Sequence, residues 1–98
     1  MAVIEIVRFR IKDETDEQAF AELNERFQSE VVPLIPGLER REATQAADGE
    51  WMLVLRYADM ESATRGPQQD AGNAVAGAFM SHIDMGTMSA AHYTIVSE

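Results

Sequence analysis

Two strand signals stand back to back in the middle of the chain, and the punctuation around them leaves few ways to fold it. Leu34-Ile35-Pro36-Gly37-Leu38 closes a helical stretch, because Pro and Gly together disfavour continuing one. A weaker strand follows over residues 38–46, and its polar surroundings suit a sheet edge or an interface. Asp48-Gly49 then marks a tight turn into Trp51-Met52-Leu53-Val54-Leu55-Arg56-Tyr57. In that last run Trp51, Leu53, Leu55 and Tyr57 alternate with Met52, Val54 and Arg56, so both faces are mostly apolar.

The flanking segments complete the pattern. Residues 2–11 alternate as a strand, with Val3, Val7, Phe9 and Ile11 sharing one face with Glu5 and with Ile4, Ile6, Arg8 and Arg10 on the other. Thr15 with Gln18 three residues on predicts a capping box. Phe20, Leu23, Phe27, Val31 and Leu34 then recur at helical spacing, with Glu22 and Arg26 as an i,i+4 pair. Asp59 is a cap for a short helical start through Ala63, Gly66-Pro67 interrupts it, and a second segment is expected from about Gln68 to Met80. Its apolar residues are small (Ala71, Ala74, Ala78) apart from Val75 and Phe79, so it packs closely or lies over a cleft. Residues 82–89 read as a loop and 90–96 as a final strand, with Tyr93 and Ile95 opposite His92, Thr94 and Val96.

Strand, helix, strand, strand, helix, strand gives an α+β domain spanning 1–98, with two helices on one face of a four-stranded antiparallel sheet. The other face carries too much apolar area to stay wet, and pairing two such faces in a homodimer removes it from water. A chain of 98 residues buries only roughly 60–65% of its unfolded surface by itself, so a partner subunit adds core. The formal charge of −9 works against nucleic acid or an anionic membrane as partner. No cysteine is present, which excludes disulfides and thiolate chemistry, and two histidines leave no standard metal-ligand spacing. Neither a signal peptide nor a membrane span is readable, so a cytoplasmic protein is expected.

With these features the chain resembles the dimeric α/β-barrel superfamily within the ferredoxin-like folds. It is most similar to the antibiotic-biosynthesis-monooxygenase-like proteins and their stress-responsive relatives. The resemblance rests on the strand at 2–11, Ile35-Pro36-Gly37-Leu38, Asp48-Gly49-Glu50 leading into Trp51–Tyr57, and Asp59-Met60-Glu61-Ser62-Ala63 before the second helix. It implies a β-α-β-β-α-β dimeric barrel, no cofactor, and one of several chemistries: oxygenation of polyphenols, haem degradation, or isomerisation and decarboxylation of small ring compounds. Haem-degrading members use an Asn near the start of the first strand, with a Trp and a His at the second helix. Here Glu5 stands on that strand, Trp51 is on the third strand, and only His82 follows the helix. The polyphenol oxygenases place Asn, Trp and Tyr near the second helix, where this chain has Asn73 alone.

Several residues invite a chemical reading beside a structural one. His82 and Asp84 are a titratable pair near neutrality, or two solvated loop residues. Glu5 is a catalytic carboxylate in a cavity, or half of a structural pair, since an isolated buried carboxylate neutralises. Arg56 anchors an acidic ligand or forms a salt bridge. Trp51, Tyr57 and Tyr93 line an aromatic pocket or fill the core and interface. His92 is a site residue or a strand-face histidine with a hydrogen-bond partner. Met80, Met85 and Met88 serve as gap fillers more cheaply than as metal ligands. Gly66, Gly72 and Gly77 lack the strand–turn–helix setting of a phosphate loop.

Two readings follow. A cofactor-independent monooxygenase-like enzyme acting on an aromatic or polyketide-like molecule predicts a cavity between helices and sheet holding His82 or Glu5 beside aromatic walls. A non-catalytic dimeric stress-related or small-molecule-binding protein predicts a space filled by Leu, Phe and Met, with both histidines outside.

Overall fold

β1 (Val3–Ile11) lies inside the sheet, and its first half is apolar on both faces. The computed structural model describes the backbone of residues 1–69 and 72–98, and the side chains of all of these except 67–69. The strand order is β2-β3-β1-β4, antiparallel throughout, with β2 (Leu38–Gln45) and β4 (Ile83–Thr94) at the edges and β3 (Trp51–Tyr57) inside beside β1. Three helices, α1 (Glu17–Arg26), α2 (Met60–Gln69) and α3 (Ala74–Ser81), complete the ferredoxin-like α+β fold.

α1 opens on Asp16 rather than Thr15: the Asp16 carboxylate accepts the Ala19 N–H at 3.0 Å. A charged cap gains from the helix dipole as well as from the hydrogen bond, which a hydroxyl does not. The helix runs on through a wide π turn over Phe27–Val31 and a 3₁₀ turn over Val32–Leu34 that contains Pro33. Arg26 pairs forward with Glu30 at 2.8 Å, not back with Glu22.

The second helical region departs further from expectation. α2 continues through Gly66 and Pro67 to Gln69, where the sequence predicts a break. Proline has a helix-compatible φ, but it withholds one N–H and its ring crowds the carbonyl four residues back, so a helix can pass it only at a cost. Gly66 is required there for another reason: it is buried, and a Cβ on it would overlap the Tyr57 hydroxyl. α3 starts at Ala74 on an Asn73 cap, and Ala71 lies outside the described residues.

β4 begins at Ile83, so the expected loop over 82–89 is mostly strand. The pairing jumps from Arg8↔Ser89 to Arg10↔Asp84, which places extra residues on β4. Thr87 closes this irregularity by accepting the Arg10 N–H at 2.9 Å and donating to the Asp84 carbonyl at 2.7 Å.

The helix-facing side of the sheet holds the core. Phe9 stacks on Trp51 (6.3 Å between centroids) and meets Phe20 and Phe79 edge-on, while Phe20 meets Trp51 at 5.1 Å. The other side carries Ile4, Ile6, Met52, Val54 and Tyr93 among Arg8 and Arg56, with Tyr93 57% exposed.

Between α1 and β2 the chain turns at Gly37, whose φ of +82° is strained for any residue with a Cβ, and a Cβ there would also collide with Ser62. Gly37→Ala is expected to lower stability by about 1–2 kcal/mol from the backbone alone. A thermal melt should record this as roughly 4–8 °C per kcal/mol. An unchanged Tm would mean that the turn tolerates a side chain.

Candidate functional site

Four residues of four different strands stand in one row across the helix-facing side of the sheet. Arg41 of β2 pairs with Leu55 of β3, Leu55 with Glu5 of β1, and Glu5 with His92 of β4. The row therefore reads guanidinium, leucine, carboxylate, imidazole. Strands lie about 4.8 Å apart, so Arg41 and Glu5 are held about 10 Å apart at the backbone, with Leu55 between them.

Glu5 is 8% exposed, and its Oε2 lies 2.9 Å from His92 Nε2. An ionised carboxylate only accepts, so Nε2 carries the hydrogen. Burial pushes the Glu5 carboxyl above its ordinary value, while the charge and hydrogen bond of His92 pull it back in part. His92 is more exposed and connects this buried group to the rim of the sheet.

Arg41 is 5% exposed, the one buried cation among the described residues. Its guanidinium donates to two neutral amides, Asn24 Oδ1 at 2.8 Å and Gln28 Oε1 at 3.1 Å. It also lies over the Phe27 ring at 4.6 Å and near Phe79 at 5.6 Å. The π turn that follows Asn24 carries Phe27 and Gln28, so α1 and its extension supply most of this cradle. Desolvation lowers Arg41 to about 10, offset in part by the more distant Glu25. The Nε–H has no acceptor among the described residues.

Both charged groups line a cavity of about 360 Å³ between the sheet and the helices. Its remaining walls are largely apolar: Val7, Leu53 and Leu55 from the sheet, Phe27 and Phe79 from the helices, and Met88 from β4. Tyr57 also lines it, beneath Gly66. The volume falls in the range of small-molecule sites, where apolar walls with a few placed polar groups are the rule.

The residues singled out from sequence are distributed unevenly. Glu5 and Tyr57 line the cavity, and His92 supports Glu5 from behind. His82 lies elsewhere, in a hollow at the start of α1, where its Nδ1 is 3.2 Å from the Thr15 hydroxyl. Asp84 is exposed, makes no hydrogen bond to His82, and accepts the Gly86 N–H at 3.2 Å. Trp51 is packed in the aromatic core, and its indole N–H has no acceptor among the described residues. Asn73 caps α3 through Val75 and Ala76. Arg56 and Tyr93 stand on the opposite side of the sheet, so Tyr93 cannot share a pocket with Trp51 and Tyr57. Arg56 is bound there by Glu39 and Glu98.

Arg41 and Asn24 were passed over in the sequence. A signal existed for Asn24, which falls on the same stripe as Phe20, Phe27 and Val31 at spacings of four and three. No group of three His, Cys, Asp or Glu that could hold a metal occurs among the described residues. Among them, too, no helix is long and apolar enough to cross a membrane.

No family model and no curated protein sequence matches the chain. Solved structures do match in fold over the full length. SnoaB, a cofactor-independent oxygenase from Streptomyces nogalater, is 16% identical with a TM-score of 0.76, over 99% of this chain and 95% of its own. Rv0793 from Mycobacterium tuberculosis is 15% identical with a TM-score of 0.72, over 100% and 98%. A dimeric protein of unknown function and ferredoxin-like fold from Bacteroides fragilis is 11% identical with a TM-score of 0.71, over 96% of each chain. At these identities the likeness is one of fold.

The raised Glu5 pKa has a consequence for stability. In the folded state this carboxyl keeps its proton to higher pH, so folding takes up a proton between the ordinary value of 4.5 and the folded one. The contribution of Glu5 to stability must then fall as pH rises through that window. In urea titrations from pH 4.5 towards neutrality, wild type should lose stability relative to Glu5→Gln. A difference that does not change with pH would mean that Glu5 titrates as it does in the unfolded chain.

Proposed function

We propose that this protein is a homodimeric enzyme that oxygenates a planar aromatic compound at an enolisable ring carbon, with electrons drawn from the substrate itself. The observation that carries this reading is the buried Glu5 carboxylate on the wall of an apolar cavity, oriented by His92. A carboxylate with a raised pKa is a stronger base than an ordinary one. SnoaB, with the same fold, is an oxygenase that works without a cofactor.

In the proposed reaction Glu5 takes a proton from a ring CH₂ and leaves an enolate. The enolate passes one electron to dioxygen, and the two radicals combine to form a C–O bond. Glu5 returns its proton to give a hydroperoxide. Loss of the remaining C–H proton then breaks the O–O bond, leaving a carbonyl and water. The sum is R₂CH₂ + O₂ → R₂C=O + H₂O. His92 holds the Glu5 carboxylate in position through both proton transfers.

A non-catalytic binding protein is the second reading, and it draws on the fact that neither histidine lines the cavity. Oxygen uptake with a panel of enolisable fused-ring phenols separates the two. Turnover in wild type, reduced about 10²- to 10⁴-fold in kcat by Glu5→Gln, is the expected result. Saturable binding with no oxygen consumption by any compound would leave the binding reading.

The dimer is proposed to form through the sheet side that carries Ile4, Ile6, Met52 and Val54. Its apolar surface there and the dimeric relative from Bacteroides fragilis support this. Light scattering at micromolar concentration should give twice the chain mass, and Val54→Asp should give the chain mass. A monomeric wild type would overturn the assembly.

A further inference from the structure

Arg41 is the feature that the proton-transfer reading leaves unused. It is a charge taken almost wholly out of water, and among the described residues no carboxylate forms an ion pair with it. Burying a cation is costly unless something compensates, and two amide oxygens, two aromatic faces and the charge of Glu25 compensate only in part. Each neighbouring arginine is treated differently: Arg40 pairs with Glu42 and Arg56 with Glu39 and Glu98, all at the surface. Asn24 and Gln28 fix the guanidinium plane against the cavity wall, and the Nε–H is left without an acceptor among the described residues.

We propose that Arg41 is the specificity-determining residue of the cavity, and that the cavity takes a planar aromatic molecule bearing an ionised oxygen, a carboxylate or phenolate, directed to Arg41. The anion supplies the missing counter-charge, in a setting where water does not screen it. Leu55 forms the floor between the two poles of the row. A fused-ring molecule laid over it has one edge towards Arg41 and the other towards Glu5. Phe27 and Phe79 offer aromatic walls on the Arg41 side. This inference rests on the aromatic-substrate reading and narrows it, because a neutral hydrocarbon of the same shape would leave Arg41 uncompensated.

The test uses 2-naphthoate and its neutral counterpart 2-naphthamide, measured by calorimetry on the full chain. Neither has an enolisable carbon, so the comparison reads recognition alone and is independent of turnover. Wild type is expected to bind the naphthoate about 10- to 100-fold tighter than the amide, and Arg41→Met to abolish that preference. Equal affinities in wild type, or a preference that survives in folded Arg41→Met, would overturn the proposal. Since Arg41→Met could fail to fold, a second measurement is made on wild type. Saturating naphthoate, but not naphthamide, should move the Arg41 Nε–H proton resonance downfield. An unmoved resonance at saturation would count against Arg41 as the recognition group.

Discussion

Register across the sheet holds the candidate site together. Leu55 pairs with Glu5 on one side and Arg41 on the other, and Glu5 pairs in turn with His92. Side chains alternate between faces at every residue, so a slip of one position in β1 would send Glu5 to the far side, away from the cavity. The same slip would drive Phe9 out of the core and Arg8 into it. The polar row is thus pinned by the apolar residues above and below it. Val3, Val7 and Phe9 on β1 and Leu53, Leu55 and Tyr57 on β3 leave only one alignment that buries them all.

The helices add the other half of that constraint. Phe20, Phe27 and Phe79 close the aromatic cluster over Phe9 and Trp51, and Asn24 enters the same buried stripe to hold Arg41. One layer therefore serves two purposes. It dries the core, and it orients a charge that only a dry environment makes strong.

How much of this was legible follows from the range of each interaction. β1 and β3 were readable because large side chains alternate along them, and α1 because Phe20, Phe27 and Val31 recur at helical spacing. β4 was not readable over 83–89, where Asp84, Gly86, Thr87 and Ser89 look like a loop. An edge strand that buries little there has no apolar pattern to show, and its pairing depends on β1. The Gly66-Pro67 break misled for a comparable reason: local chemistry argued for a stop, while Gly66 sits within the helix where it packs closely on Tyr57, a contact between distant parts of the chain. Of the candidate site, half was visible. Glu5 stood out as a carboxylate among apolar neighbours, but its bond to His92 joins residues 87 positions apart, and no local spacing encodes it. Arg41 was masked by its neighbours Glu39, Arg40 and Glu42, which make the segment look like solvated edge. Only the fold separates the one arginine that turns inward.

The irregular pairing in β4 has a further effect, on how copies of this chain can associate. A straight, unpaired edge invites another strand to add to it, and repeated addition grows without limit. β4 is bent where Thr87 ties Asp84 to Arg10, and β2 presents Glu39, Arg40 and Glu42 along its rim. Neither edge is a flat apolar template. Stacking through the broad side of the sheet, by contrast, ends after one step, because each copy has only one such side. The irregular strand thus leaves no straight, unpaired edge on that side for a further strand to extend.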